Sequence, residues 1–261
     1  MRALLVALFS LVALAAPLSA AEVSSPDGRI VVQLDVDNEG KAFYRVDRDG
    51  EPLIADSVLG FTFTDADTMR RNFAIESEAR TSHDDTWEQP WGERRLTRDH
   101  FNELTVQLAE TTGRKRRLDV VFRVYDDGLG FRYVFPEQPN LREAIIDDEL
   151  TEFAIAPEST AWWIPAGEPI HYEYLYQHTP LREVPLVHTP MTLRSRDGLH
   201  VAIHEAALVD YAGMWLRRTE GQRLRAQLSP SAEGWKVRRT CLLYTSPSPR
   251  DRTRSRMPSS A

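Results

Sequence analysis

Between residues 21 and 239 the dominant pattern is alternation of apolar and polar positions with a period of two. The segments "IVVQLDV" (30–36), "FYRV" (43–46), "LGFTF" (59–63), "NELTVQL" (102–108), "YEYLY" (172–176) and "HVAIHE" (200–205) all read this way. Such alternation puts the apolar side chains on one face of an extended chain. The clearest case is "VVFRVYDDGLGFRYVF" (120–135), with Phe131, Tyr133 and Phe135 on one face and Arg132 and Val134 on the other. Asp-Gly dipeptides at 27–28, 49–50, 127–128 and 197–198 punctuate the pattern. Glycine takes positive φ without steric cost and aspartate tolerates it, so the pair favours tight hairpins. No long stretch has helical periodicity. "EAALVDYAGMW" (205–215) opens with helix formers, but Gly213 and its brevity make it a turn or a short helical piece. No repeat recurs at a fixed period. The pattern predicts an all-β fold, a large antiparallel β-sandwich of about 14 to 18 strands at ordinary strand and loop lengths.

The two ends break this pattern. Residues 1–20 carry Arg2, an apolar run from Ala3 to Ala16 and the small-x-small sequence "LSA" at 18–20. This is the layout of a secretory signal peptide, too short and wrongly flanked for a membrane anchor. The expected address is periplasmic or secreted. No later run approaches the roughly 18 apolar residues that a spanning helix needs, so no membrane partner is expected. From 240 to 261 the chain reads "TCLLYTSPSPRDRTRSRMPSSA", rich in Ser, Pro and Arg. Such a composition cannot bury enough apolar surface to fold. It is also similar to translated sequencing-adapter read-through, so the tail is expected to be disordered and artefactual. Cys241, the sole cysteine, and the tail's arginines then carry no functional information. The body, 21–239, must be held by its hydrophobic core rather than by disulfides.

Charge narrows the partners. The formal net charge is −7, to which Arg2 contributes +1 and the tail +3, leaving −11 for residues 21–239. A surface this acidic repels nucleic acid and anionic lipid and suits a neutral sugar or a bound cation.

Candidate chemistry is sparse. There is no Gly-x-Ser-x-Gly elbow, no phosphate-cradling or dinucleotide fingerprint and no His-Glu-x-x-His zinc helix; His204-Glu205 is followed by Ala-Ala-Leu. His171, His178, His188, His200 and His204 cluster, but their irregular spacing reads more plainly as surface and strand-end histidines than as one metal site. "DDELTE" (147–152) is rich in carboxylates yet lacks the spacing of a calcium loop, and reads as a solvated acidic turn. Trp162 and Trp163 are consecutive, so in a strand they face opposite sides; one packs in the core and the other can form a sugar platform. Glu205, at the end of an apolar strand, reads either as a strand end reaching solvent or as a ligand aimed outside its own segment.

Nine segments, taken in order, resemble the amino-terminal domain of glycoside hydrolase family 97: "SPDGRI" (25–30), "DDTWEQPWGE" (84–93), "RDHFNEL" (98–104), "VFRVYDDGLGFRY" (121–133), "DELTEF" (148–153), "TAWWIPA" (160–166), "YEYLY" (172–176), "TPL" (179–181) and "HEAALVDYAGM" (204–214). The resemblance spans nearly all of 25–239. It implies a galactose-mutarotase-like β-sandwich followed by a (β/α)8 barrel that carries the catalytic carboxylates and that this chain lacks. It also implies an exo-acting α-glucosidase or α-galactosidase activity on α-linked oligosaccharides. A calcium ion (Ca2+) is implied at the junction with the barrel, with Glu205 as the one ligand from the sandwich. On this reading residues 21–239 contain no catalytic residue and are inert alone, and Trp162 and Trp163 are candidate substrate contacts. His204, by alternation, turns away from Glu205 into packing. A stand-alone carbohydrate-binding sandwich is the competing reading. A mutarotase-like epimerase using His171, His204 and Glu205 is a third, without support from spacing.

Overall fold

The structure, a computed structural model, describes residues 20–168, 171–209, 211–229 and 235–238. The predicted leader, apart from Ala20, and the predicted tail with Cys241 lie outside the described residues. In chain order the strands are β1 (Ala21–Ser24), β2 (Ile30–Val36), β3 (Ala42–Arg48), β4 (Glu51–Val58), β5 (Phe61–Phe63), β6 (Phe73–Glu88) and β7 (Leu96–Glu110). Next come β8 (Arg117–Tyr125), β9 (Gly128–Val134), β10 (Glu143–Glu149), β11 (Glu152–Ile155), β12 (Ser159–Trp163) and β13 (Gln177–Pro180). A 3-10 turn at Leu181–Glu183 precedes β14 (Leu186–His188), β15 (Met191–Ser195), β16 (His200–Ile203), β17 (Met214–Arg218), β18 (Arg223–Leu228) and β19 (Trp235–Arg238). The nineteen strands among the described residues exceed the expected range because several, such as β5 and β14, are only three residues long. No helix among these residues is long and apolar enough to cross a membrane.

All pairings are antiparallel. The largest sheet runs β1-β2-β3-β4-β11-β18-β17-β14, and β6-β7-β8-β9 forms a second sheet. Contacts of β1 with β7, and of β2 with β6 and β8, lay these two sheets face to face. Tyr44, Phe122 and Phe131 meet between them, with ring centroids 5.2–6.0 Å apart. The small sheet β19-β10-β5 adds Phe61 and Phe63 against Tyr133 and Phe135. The fourth sheet, β13-β12-β15-β16, buries Ala161, Trp163, Met191, Leu193 and Ile203 in the same core.

Turn chemistry explains the hairpins unevenly. At Asp49-Gly50 both residues have positive φ, 54° and 82°, and Arg48 pairs with Glu51, the geometry of a mirror-image two-residue turn. Asp127-Gly128 behaves differently: Tyr125 pairs with Gly128, so the loop is Asp126-Asp127 and Gly128 already belongs to β9. The expected strand at 172–176 does not form. Those residues have no strand partner, and Tyr172, Leu175 and Tyr176 project into solvent.

One polar group is central to this core. Arg116 is fully buried at the turn between β7 and β8. Its Nε and Nη2 donate to the two oxygens of Glu110 (2.8 and 2.6 Å), and Nη1 and Nη2 donate to the carbonyls of Asp67 and Thr68 (2.6 and 3.1 Å). The backbone N–H of Arg116 also donates to Glu110 (3.0 Å). This bidentate pair ties the hairpin to the 64–69 loop with its donors and charges matched internally.

Candidate functional site

The strand end singled out by the sequence is built by a closed loop. β16 stops at Ile203, so alternation does not extend to His204, which is exposed, with Nδ1 2.9 Å from the Glu205 carbonyl oxygen. The expectation that His204 packs is thereby corrected. Glu205 is half-buried. Its Oε1 accepts the backbone N–H of Met214 (2.5 Å) and its Oε2 accepts the hydroxyl of Thr189 (3.2 Å). Thr189 Oγ1 also lies 3.1 Å from the Met214 carbonyl, so one side chain reaches both ends of the loop. Ala212 is buried while Leu208 and Val209 project at the loop's tip. Burial pushes the Glu205 carboxyl above its usual range, against the lowering effect of the Met214 and Thr189 hydrogen bonds and of His204.

A second carboxylate, missed by sequence reasoning, stands behind the loop. Glu149 is buried, accepting the hydroxyls of Thr151 (2.6 Å) and Tyr211 (2.9 Å), and Thr151 is in turn hydrogen-bonded to Tyr133 (2.6 Å). Burial pushes Glu149 up, and the charges acting on it are further carboxylates, Asp148 and Glu205. The "DDELTE" turn is therefore not uniformly solvated. Alternation alone would have sent Asp148 inward with Ala144 and Ile146. A bulge between Ile146 and Asp148 in the pairing with β5 shifts the phase, and Glu149 is buried instead. Nothing in the local pattern marks that bulge.

Next to Thr189, His188 is buried on β14, which the segment 164–166 pairs on its other side, and the His171 backbone lies against its ring. Its ring lies 3.9 Å from that of Tyr172 and edge-on to Trp215 at 5.8 Å. Burial lowers its pKa, against the raising effect of a backbone hydrogen bond with His171. The exposed apolar residues Tyr172, Leu175 and Tyr176 lie on the segment covering His188, and Leu208 and Val209 on the Glu205 loop.

The tryptophans split as consecutive strand residues must. Trp163 faces the core, with Nε1 donating to Thr179 (3.1 Å), and presents no ring face for a sugar, which corrects its candidacy as a substrate contact. Trp162 is on the outer face, where His178 stacks on it at 4.3 Å and 9° and His200 lies at 6.2 Å and 22°. These two imidazoles occupy the indole where a sugar ring would stack, so Trp162 is not an open platform. The five clustered histidines do not converge. Among the described residues no group of three or more His, Cys, Asp or Glu side chains could hold a metal. Glu205 nevertheless suits one arm of a calcium site. It is a hard oxygen donor, held in place and desolvated, with each oxygen accepting a single hydrogen bond. Six to eight oxygens are needed in all, so the others would have to come from outside the described residues.

The site thus sits on an antiparallel β-sandwich, as a half-buried carboxylate on a loop whose tip exposes Leu208 and Val209. The glycosyl-hydrolase 97 amino-terminal family model matches residues 23–248, and the chain belongs to that family as the amino-terminal domain of a glycoside hydrolase. A glycoside hydrolase family 97 enzyme of Pseudoalteromonas sp., solved in complex with panose and again with acarbose, is 40% identical with a TM-score of 0.80; the match covers 84% of this chain and 33% of that one. A retaining alpha-galactosidase of Bacteroides thetaiotaomicron is 22% identical over 222 residues, covering 80% of this chain and 32% of its own length. A beta-arabinopyranosidase, 23% identical with a TM-score of 0.73 over 83% of this chain and 36% of that one, shares the fold. The chain thus spans about a third of the length of the relatives it matches.

Proposed function

We propose that this chain is the amino-terminal domain of an exported, calcium-dependent, exo-acting α-glycosidase, and that it packs on a catalytic (β/α)8 barrel while supplying Glu205 as one calcium ligand. The observation that carries the reading is the Glu205 loop: a carboxylate desolvated and fixed by Met214 and Thr189, with no complete metal site around it among the described residues. The exposed Leu208 and Val209 on that loop, and Tyr172, Leu175 and Tyr176 near it, are the apolar surface that a barrel would cover. Relatives of about three times the matched length, among them an alpha-galactosidase and an enzyme complexed with panose and acarbose, support an α-linked oligosaccharide as substrate.

Glycoside hydrolysis needs two carboxyl groups about 5 to 9.5 Å apart across the scissile bond. On this reading the barrel supplies them, and residues 21–239 alone hydrolyse no aryl α-glucoside. Purified sandwich that turned over such a substrate would refute that part. In the parent enzyme, chelation of calcium or Glu205→Gln should abolish or strongly reduce hydrolysis, and full activity of the variant in chelator would overturn the ligand assignment. The isolated sandwich should bind calcium weakly or not at all by isothermal titration. Fractionation of the native host should place the enzyme in the periplasm or the medium.

The stand-alone carbohydrate-binding reading has less support, because Trp163 is buried and Trp162 is stacked by imidazoles. A Trp162→Ala variant that lost measurable sugar binding would revive it.

A further inference from the structure

We infer that Glu149 and Tyr211 are positioning residues for Glu205: a buried hydrogen-bond relay, Tyr133–Thr151–Glu149–Tyr211, pins the 205–214 loop to the sandwich and so fixes the carboxylate at its tip-facing end. This inference rests on the calcium-ligand reading of Glu205 and extends it inward. The loop has two attachments. Its ends are closed by the Met214 N–H on Glu205 Oε1 (2.5 Å) and by Thr189, which lies within 3.2 Å of Glu205 Oε2 and 3.1 Å of the Met214 carbonyl. Its interior is held by the Tyr211 hydroxyl on Glu149 Oε2 (2.9 Å). Glu149 is itself held at Oε1 by Thr151 (2.6 Å), whose backbone carbonyl accepts the N–H of Ala226 in β18 (2.8 Å). Three elements thus converge on the relay: the end of β10 through Glu149, β18 through the Ala226 bond to Thr151 in the β10–β11 link, and β9 through Tyr133.

The division of labour follows from burial. Leu208 and Val209 are about half exposed, so apolar packing does not hold the loop's tip. Tyr211 and the buried Ala212 do: the Tyr211 ring packs against the hydrophobic core while its hydroxyl reaches the Glu149 carboxylate. Burying Glu149 is costly, first through desolvation and then through the like charges of Asp148 and Glu205. A core leucine would be cheaper, so the position is explained by what Glu149 holds. In metal sites, outer residues of this kind orient the ligand, and their loss commonly weakens metal affinity about 10–100-fold.

The test compares Tyr211→Phe, Glu149→Ala and Glu149→Gln by amide hydrogen exchange in this chain. Tyr211→Phe keeps the ring and removes only the hydroxyl. Glutamine at 149 still offers an oxygen to Tyr211 and should rescue. Tyr211→Phe and Glu149→Ala should speed exchange of the Met214 amide at least about tenfold while the Val120 and Phe122 amides of β8 are unchanged, with Glu149→Gln close to wild type. Met214 exchange unchanged in Tyr211→Phe, or accelerated only in step with β8, would overturn the inference. In the parent enzyme the same two variants should bind calcium about 10–100-fold more weakly by chelator competition. Wild-type parent that bound no calcium would refute the ligand reading of Glu205 instead, and the exchange result would still decide whether Glu149 and Tyr211 fix the loop.

Discussion

Two places in this sandwich bury carboxylates, and they are built in opposite ways. At the β7–β8 turn, Glu110 meets Arg116 in a bidentate pair, and the remaining guanidinium donors reach the Asp67 and Thr68 carbonyls. At the other, Glu149 and Glu205 accept hydroxyl and amide hydrogen bonds; burial raises the pKa of both, and the Glu205 charge adds to the rise at Glu149. The first is complete within the domain. The second is held from outside the carboxylates by Thr151, Tyr211, Thr189 and the Met214 amide, and Thr189 directly follows the buried His188. A pair neutralised internally is a clamp; the second pair of carboxylates is held instead by hydroxyl and amide donors.

The largest effect should come from breaking the clamp. Arg116→Met leaves Glu110 buried and uncompensated, and should lower the unfolding free energy by about 3–5 kcal/mol in urea titrations. Replacing Glu110 with leucine in the same chain should restore most of that loss, since a buried pair is often matched by apolar residues of similar volume. A loss below about 1 kcal/mol in the single variant would remove the contrast.

Asp119 provides a smaller test of the same idea. Its Oδ1 is buried without a partner, and burial pushes the carboxyl up to about 6. Its folded pKa therefore lies above the unfolded value of about 3.9, and the native state binds more protons between the two. Stability should fall as pH rises from about 4 through about 6. Asp119→Asn should flatten that slope and raise stability at pH 7 by about 1 kcal/mol, less than the full shift would give because the side chain is partly screened by solvent. A steeper slope in the variant would reverse the assignment.

His188→Leu probes the second region beside Thr189. The substitution keeps an apolar side chain against Tyr172 and Trp215 and gives up only the backbone hydrogen bond with His171, so it should change the stability of this chain by less than about 1 kcal/mol. A loss of about 2–3 kcal/mol would mean that the His171 contact closes this region as tightly as the Arg116 clamp closes its own. The smallest effect belongs to the exposed Asp84–Arg98 pair (2.7 Å) on the long β6–β7 hairpin, where Asp84→Asn should leave the Tm unchanged.

Much of the architecture was legible because strands of a half-buried sheet must alternate. The segment 30–36 is β2 to the residue, and 102–108 lies inside β7. The aromatic face of 120–135 meets Phe61 through Tyr133 and Phe135, with Phe131 beside Tyr133. The same rule failed where its premise did. Tyr172, Glu173 and Tyr174 alternate without a strand to pair with, and His204 lies one residue past the end of β16. Glu205 was visible as an anomaly, a carboxylate after an apolar strand, whereas Glu149 looked like one acid among several in a turn.

Period-two burial, charge and turn chemistry are local properties, so the alternating pattern alone carried the β-sandwich, its acidity and a carboxylate that follows an apolar strand. Which carboxylates are neutralised depends on contacts between distant segments. Glu110 and Arg116 are six residues apart, but their clamp also needs the Asp67 and Thr68 carbonyls, and Glu149 finds Tyr211 from 62 positions away. A bulge in β10 turned Glu149 inward, and the return of the chain at Met214 fixed Glu205. Such pairings depend on register and on the packing of distant strands, which no local pattern encodes.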